Sequence, residues 1–335
     1  MIDTIYLEES VRDHPLTRDL LRRYAHAVQV PCASYGEVFN HRAQNFRLQK
    51  RRPALILARK ERNFVHAAPP GYGIGGARNF YFSHLLNCPY DCRYCFLQGM
   101  FGSANYVLFV NYEEFGDAMA REIGAAPAGE ETWFFSGYDA DSLALEPVTR
   151  FAVWALDWLA GQPRARLELR TKSTHTRALL KRPALPNCVV AFSLAPEPLA
   201  RQLEHQAPTV AKRLAAAARL QRAGWPVGIR LDPLIYVPDY ARQYRALLDQ
   251  VAASLASESL HSVSVGGMRL PRGYFERMAR LYPDEPLFAG LLAERDGMVA
   301  YPARIEARLI EEVSGMVRDR FGPERLFTCD WQAAA

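Results

Sequence analysis

Apolar and polar positions along this chain follow two periods, and the switches between them predict its elements. Short apolar, β-rich runs recur at residues 79–84, 132–136, 167–171, 189–194, 227–231 and 262–265. Between them, apolar residues return every three or four positions, most clearly over 146–160, 208–223 and 239–255, which is the helical period. Another strand-like run at 106–110 precedes a helix over 112–123. Six strand–helix units of this kind predict an α/β fold, a parallel sheet curled into a partial (β/α)6 TIM-like barrel. Any site should then lie at the C-terminal ends of the strands.

Flanking segments extend this core. Residues 4–8, 28–30 and 54–58 read as strands, and 17–27 as a helix capped by Thr17, together a small N-terminal α/β module over 1–75. The glycine-rich run 71–76 reads as a boundary loop, because no helix pattern follows it. The barrel spans 76–270, and 271–335 form a C-terminal extension with helices over 271–281 and 303–320.

Composition narrows the class. The chain has 335 residues, 49% hydrophobic and 23% charged, ordinary for a soluble globular protein. No apolar run reaches membrane-spanning length, and the N-terminus lacks a signal-peptide pattern, so a cytoplasmic location without a membrane is expected. The net charge of +5 is uneven: Arg42, Arg47, Lys50, Arg51, Arg52, Arg59, Lys60 and Arg62 crowd residues 42–62. That segment is either a phosphate-binding arm or a solvated face.

Three of the six cysteines, Cys88, Cys92 and Cys95, fall within eight residues as C-x3-C-x2-C. Thiolates so close in sequence converge on one iron–sulfur cluster at small entropic cost. Three thiolates on a four-iron cubane leave one iron open to an outside ligand. Structural zinc would need a fourth ligand, and no second C-x-x-C or H-x3-H pair exists. Cys32 reads as a small buried hydrophobe, and Cys188 as inert at the start of a strand. Cys329 reads as a structural or unpaired terminal cysteine, able to serve the site only if the tail folds back over the barrel mouth.

The spacing, with Tyr94 directly before the last cysteine, resembles the signature of radical S-adenosylmethionine enzymes. The surrounding words narrow this further. Ser83 through Gln98, then Tyr106 to Asn111, are similar to the spore photoproduct lyase family, and weaker likeness runs through Ile5–Glu8, His14–Thr17, Thr171–Lys172, Phe192–Ser193, Pro233–Tyr236 and Glu324–Thr328. The resemblance implies a 4Fe–4S cluster on Cys88, Cys92 and Cys95, with S-adenosylmethionine as cofactor. It implies cofactor contacts from Tyr94, Lys172 and Ser193, with Ser136 and Asp139 as further candidates. It also implies an external electron donor such as flavodoxin or ferredoxin, and DNA as partner through segment 42–62. The implied reaction is light-independent reversal of a methylene-bridged thymine dimer, the lesion being turned out of the duplex.

Two departures stand out. The cysteine that returns a hydrogen atom in the family aligns here with Ser136, and a serine O–H bond is too strong to replace a thiol. Phe96 stands where the family has tyrosine. Two further readings therefore stand beside the lyase: a radical enzyme of this family acting on another lesion, a peptide or a metabolite, and a DNA-binding protein with a structural or redox-sensing cluster.

Overall fold

The computed structural model describes residues 2–69 and 71–329. Its N-terminal strands β1 (Thr4–Glu8), β2 (Val28–Cys32) and β3 (Leu55–Ala58) pair in parallel. β3 pairs onward with β8 (Tyr106–Phe109), which also holds the short antiparallel β6 (Leu85–Leu86). The strand-like run expected at 106–110 thus joins the N-terminal sheet, and the cysteine loop hangs between two of its members. β3 and β8 are wholly buried, which suits their unbroken apolar character.

A second sheet holds eight strands in the order β18–β14–β13–β11–β10–β9–β5–β4. These are β4 (His66–Ala67), β5 (Arg78–Tyr81), β9 (Thr132–Ser136), β10 (Ala165–Thr171), β11 (Cys188–Ser193), β13 (Val227–Leu234), β14 (Leu260–Gly267) and β18 (Leu326–Cys329). From β5 to β18 every pairing is parallel; only β4 is antiparallel. All six barrel strands expected from the sequence are present. The seventh parallel strand, β18, comes from the tail.

Helices α4 (Tyr112–Gly124), α6 (Phe151–Ala160), α9 (Val210–Arg222), α10 (Tyr240–Ser254) and α12 (Ala303–Phe321) cover the convex side, with α1 (Pro15–Arg23) and α2 (Phe46–Arg51) in the N-terminal module. Short helices α3 (Leu97–Met100), α5 (Glu146–Thr149), α7 (Arg177–Leu180) and α8 (Glu197–Leu203) follow strands or loops at the barrel rim. α11 (Arg272–Leu281) adjoins a small antiparallel sheet of β15 (Arg269–Pro271), β16 (Ala293–Arg295) and β17 (Met298–Ala300). Among the described residues no helix is long and apolar enough to cross a membrane.

Three local expectations are corrected. α1 begins before Thr17: His14 Nδ1 accepts from the Leu16 N–H at 3.3 Å, and Pro15, with its fixed φ, takes the first helical position. Thr17 is buried inside the first turn. The helix expected over 146–160 is two, because Arg150 adopts φ 51°, ψ 25°, and the Glu146 carboxylate accepts the Ala152 N–H at 2.8 Å to cap the second piece. The glycine-rich run, finally, is not merely a boundary. Its Ile74 packs with Trp133, Phe135 and Val189 inside the barrel, and Tyr72 leans on the same group.

Alternation sorts the barrel faces. Glu168 on β10 pairs with Arg230 on β13 across the intervening β11, both side chains wholly buried on the concave face. Arg170, Ser193 and Ser262 share that face, whereas Phe134 meets Trp158 of α6 on the convex side.

Candidate active site

The cysteine loop leaves β6 through Asn87, whose φ of 71° turns the chain and whose side-chain amide donates to the Ser103 and Asn105 carbonyls. Cys92 lies on β7 (Asp91–Cys92), which pairs antiparallel with β12 (Glu204–His205). Cys95 and Phe96 then lead into α3. Lys50 of α2 reaches across and donates to the Cys88 carbonyl at 2.7 Å and the Tyr90 carbonyl at 3.0 Å. From the other end of the chain, the Tyr282 hydroxyl lies 3.1 Å from Asp91 Oδ1 and 3.0 Å from Gln98 Oε1. Arg93 stacks on the Tyr282 ring at 4.0 Å. α3 packs so closely on α11 that a Cβ on Gly99 would come within 2.7 Å of the Tyr274 carbonyl carbon. The loop is held from both ends of the chain.

Chemically, the donor set fits an iron–sulfur cluster. No disulfide joins the three cysteines. Burial raises all three thiols, while Lys172 beside Cys92 and Cys95, and Lys50 beside Cys88 and Cys95, pull toward the thiolate. The Tyr90 and Leu97 backbone N–H groups donate to the Cys88 and Cys95 sulfurs, the kind of hydrogen bond that tunes such clusters. Among the described residues no group of three or more His, Cys, Asp or Glu closes on a single metal ion, and the three thiols are distributed along a strand and two turns.

Beside the loop is a buried charged pocket. Tyr94 donates its hydroxyl to Glu204, which is also paired with Arg213. Both partners of the Glu204–Arg213 pair are almost wholly shielded from solvent. Lys172 Nζ stands 4.0 Å from Glu204 and 5.4 Å from the Tyr94 ring centroid. Arg213 also donates to the Ser193 carbonyl at 3.0 Å, which ties β11 to the group. Asp141 fixes the strand end: it accepts from the Leu143, Ala144 and Lys172 N–H groups and from Thr171 Oγ1 at 2.6 Å. Tyr94 and Lys172 therefore lie together, and Ser193 adjoins them through its carbonyl on Arg213. Glu204, Arg213 and Asp141 were not visible in the sequence, since nothing immediately around them marks them.

Ser136 and Asp139 part company. Ser136 shares the convex parity of Phe134, is fully buried, lies 2.7 Å from Ser142 Oγ and donates to the Glu168 carbonyl at 3.1 Å. It faces away from the concave side, which corrects its assignment as a cofactor contact. Asp139 turns the other way. It accepts from Ser83 Oγ at 2.5 Å, and burial raises its carboxyl against the pull of Ser83 and Lys60. Beside it Tyr138 stacks on Tyr81 at 4.2 Å and lies 5.6 Å from Phe96 and 6.0 Å from Tyr72. These rings line the mouth between the cysteine loop and the barrel.

A parallel partial barrel, with C-x3-C-x2-C in the loop after its first strand and a buried cation–carboxylate pocket next to it, defines a radical S-adenosylmethionine enzyme. Such enzymes carry a 4Fe–4S cluster and S-adenosylmethionine. The family profile of spore photoproduct lyase matches residues 1–270, and the chain belongs to that family. The spore photoproduct lyase of Bacillus subtilis is 24% identical over 267 residues, 78% of this chain and 75% of that protein. That of Clostridium acetobutylicum is 20% identical over 266 residues, 78% and 76% of the two chains. A solved mutant spore photoproduct lyase with bound AdoMet and dinucleoside spore photoproduct has TM-score 0.86 at 18% identity and covers 99% of both chains. Another, complexed with dinucleoside spore photoproduct, has TM-score 0.83 at 18% identity and covers 98% of both. Identity that low establishes a shared fold.

Proposed function

We propose that this chain is a radical S-adenosylmethionine lyase that restores two thymines from a methylene-bridged thymine dimer in DNA. The observation that carries this reading is the meeting of Cys92, Tyr94, Lys172 and Glu204 at one strand-end pocket, in a chain of the spore photoproduct lyase family. Cys88, Cys92 and Cys95 would hold the cluster, with Lys172 available to the cofactor's carboxylate and Ser193 and Tyr94 beside it. When bound, cluster and cofactor together supply a 5′-deoxyadenosyl radical that takes a hydrogen atom from the lesion.

The protein's own part is positioning. Glu204 is already shared by Arg213 and Tyr94, and among the described residues the Lys172 ammonium, 4.0 Å away, has no hydrogen-bonding carboxylate of its own. Tyr81, Tyr138 and Phe96 offer faces on which extruded bases stack, each worth roughly 1–3 kcal/mol. Exposed Arg42, Arg51, Arg52 and Arg62 are placed to neutralise backbone phosphates without reading sequence. The electron comes from an external one-electron carrier of the flavodoxin or ferredoxin class.

The test uses anaerobically reconstituted protein, dithionite, S-adenosylmethionine and an oligonucleotide carrying the dimer, with 5′-deoxyadenosine and restored thymine both followed. Restored thymine in step with 5′-deoxyadenosine is expected. 5′-Deoxyadenosine without thymine would move the enzyme to another substrate.

A further inference from the structure

We propose that Cys329 is the hydrogen-atom donor that closes this reaction. The proposal rests on the lyase reading above, and it starts from atom balance. Once the saturated ring has lost a hydrogen atom from the carbon next to the bridged one, and the bond from that ring to the bridge has broken by β-scission, one thymine is complete. The other carries a carbon radical one hydrogen atom short of its methyl group. A thiol can supply that atom; the aliphatic hydroxyl of a serine cannot.

The β9 rim has none to offer, since residues 133–146 contain no cysteine. Of the three cysteines outside the cluster loop, Cys32 lies on the edge strand of the N-terminal sheet, and Cys188 begins β11 at the barrel's closed end. Cys329 is different. It ends β18, in register with Gly266, and a Cβ on Gly266 would meet both Asp232 Oδ1, at 2.7 Å, and the Cys329 Cβ, at 3.1 Å. All three therefore share the concave face at the strands' C-terminal ends. The tail reaches the mouth as a strand of the barrel.

The surroundings suit a donor. Arg269 Nη2 donates to the sulfur at 3.0 Å, and Arg269 is itself held by the Gly267 carbonyl at 3.1 Å and faces Asp232 at 3.8 Å. With the sulfur accepting from Arg269, its own hydrogen is left to point elsewhere. Burial, then the Asp232 charge, raise the thiol, so it keeps that hydrogen at neutral pH despite Arg269 and Arg170. Two residues back on the same face of β14, Ser264 Oγ is buried without a hydrogen-bond partner among the described residues, a polar group left for whatever enters the barrel. Between Cys329 and the cysteine loop stand Tyr72, with the Arg170 guanidinium 4.8 Å over its ring, and Tyr138, whose ring meets both Tyr72 and Phe96. Donor and radical source thus border one mouth.

In the step, the Cys329 S–H bond breaks homolytically, a C–H bond forms on the thymine methyl, and a thiyl radical remains. One electron from the external low-potential carrier and one proton from solvent restore the thiol.

The experiment compares the full-length holoenzyme with Cys329→Ala and Cys329→Ser in heavy water on the dimer oligonucleotide. Wild type should place one deuterium in the restored methyl group, because the thiol exchanges with solvent. Both variants should still form 5′-deoxyadenosine but lose restored thymine at least ~10-fold. Labelled thymine at the wild-type rate from Cys329→Ala would overturn the donor assignment while leaving the lyase reading intact. Loss of 5′-deoxyadenosine as well in Cys329→Ser, which keeps the side chain's size, would make the residue structural and also overturn it. Wild type that makes 5′-deoxyadenosine but no thymine would overturn both readings.

Discussion

Replacing Glu204 with glutamine would remove the one charge that Arg213, Tyr94 and Lys172 share. An unmatched buried guanidinium is strongly unfavourable, so Glu204→Gln should cost ~3–5 kcal/mol in urea unfolding. Cys92→Ala should abolish both the cluster's visible absorption and 5′-deoxyadenosine formation, read by spectroscopy and chromatography. A third residue titrates. Burial lifts the Glu146 carboxyl to about 7 from an ordinary 4.5. The folded chain therefore keeps a proton that the unfolded chain releases, and stability is greatest below 4.5 and declines as pH rises through 7. Glu146→Gln should flatten that decline, by up to ~3 kcal/mol in unfolding free energies compared at pH 5 and pH 8. The three cysteines were legible because their chemistry is local in sequence. Glu204 was not, because its role arises only when β12 is laid against β7, more than a hundred residues apart. Ser136 misled for a related reason: a single step in strand register sends a side chain to the opposite face.

At the scale of elements, the six barrel strands could be read from apolar runs, since strands buried on both faces need no alternation. The break between α5 and α6 could not, because an arginine in left-handed conformation leaves no compositional trace. That conformation is unfavourable for any residue with a Cβ, so Arg150→Gly should raise the thermal midpoint, in keeping with about 1 kcal/mol, despite losing the Asp19 ion pair at 3.2 Å. The tail strand was read as an appendage because an edge strand of four residues carries little signal of its pairing. Ending the chain before Leu326 should uncover the β14 edge and shift the protein toward aggregates in size-exclusion chromatography.

For the whole molecule, the basic segment was visible as charge but not as disposition. Lys50 is spent on the cysteine loop, Arg59 pairs with Glu114, and Lys60 lies 5.0 Å over the Phe109 ring. Arg42, Arg51, Arg52 and Arg62 remain exposed. Duplex affinity should fall steeply with salt, and changing Arg51 and Arg52 together to alanine should reduce the slope of log affinity against log salt by about 2, measured by fluorescence anisotropy. The same change at Lys50 should disturb the cluster loop as well, which folding alone decides.

The clasp around that loop has a consequence for biogenesis. Lys50 is 38 residues before Cys88, while Tyr282 is 191 residues after Asp91. During synthesis the cysteines emerge well before the segment that fastens them, so a nascent or truncated chain presents the loop without Tyr282 and α11. Iron loading thereby becomes a late event, tied to completion of the polypeptide, and an unfinished copy is a poor vessel for a reactive centre.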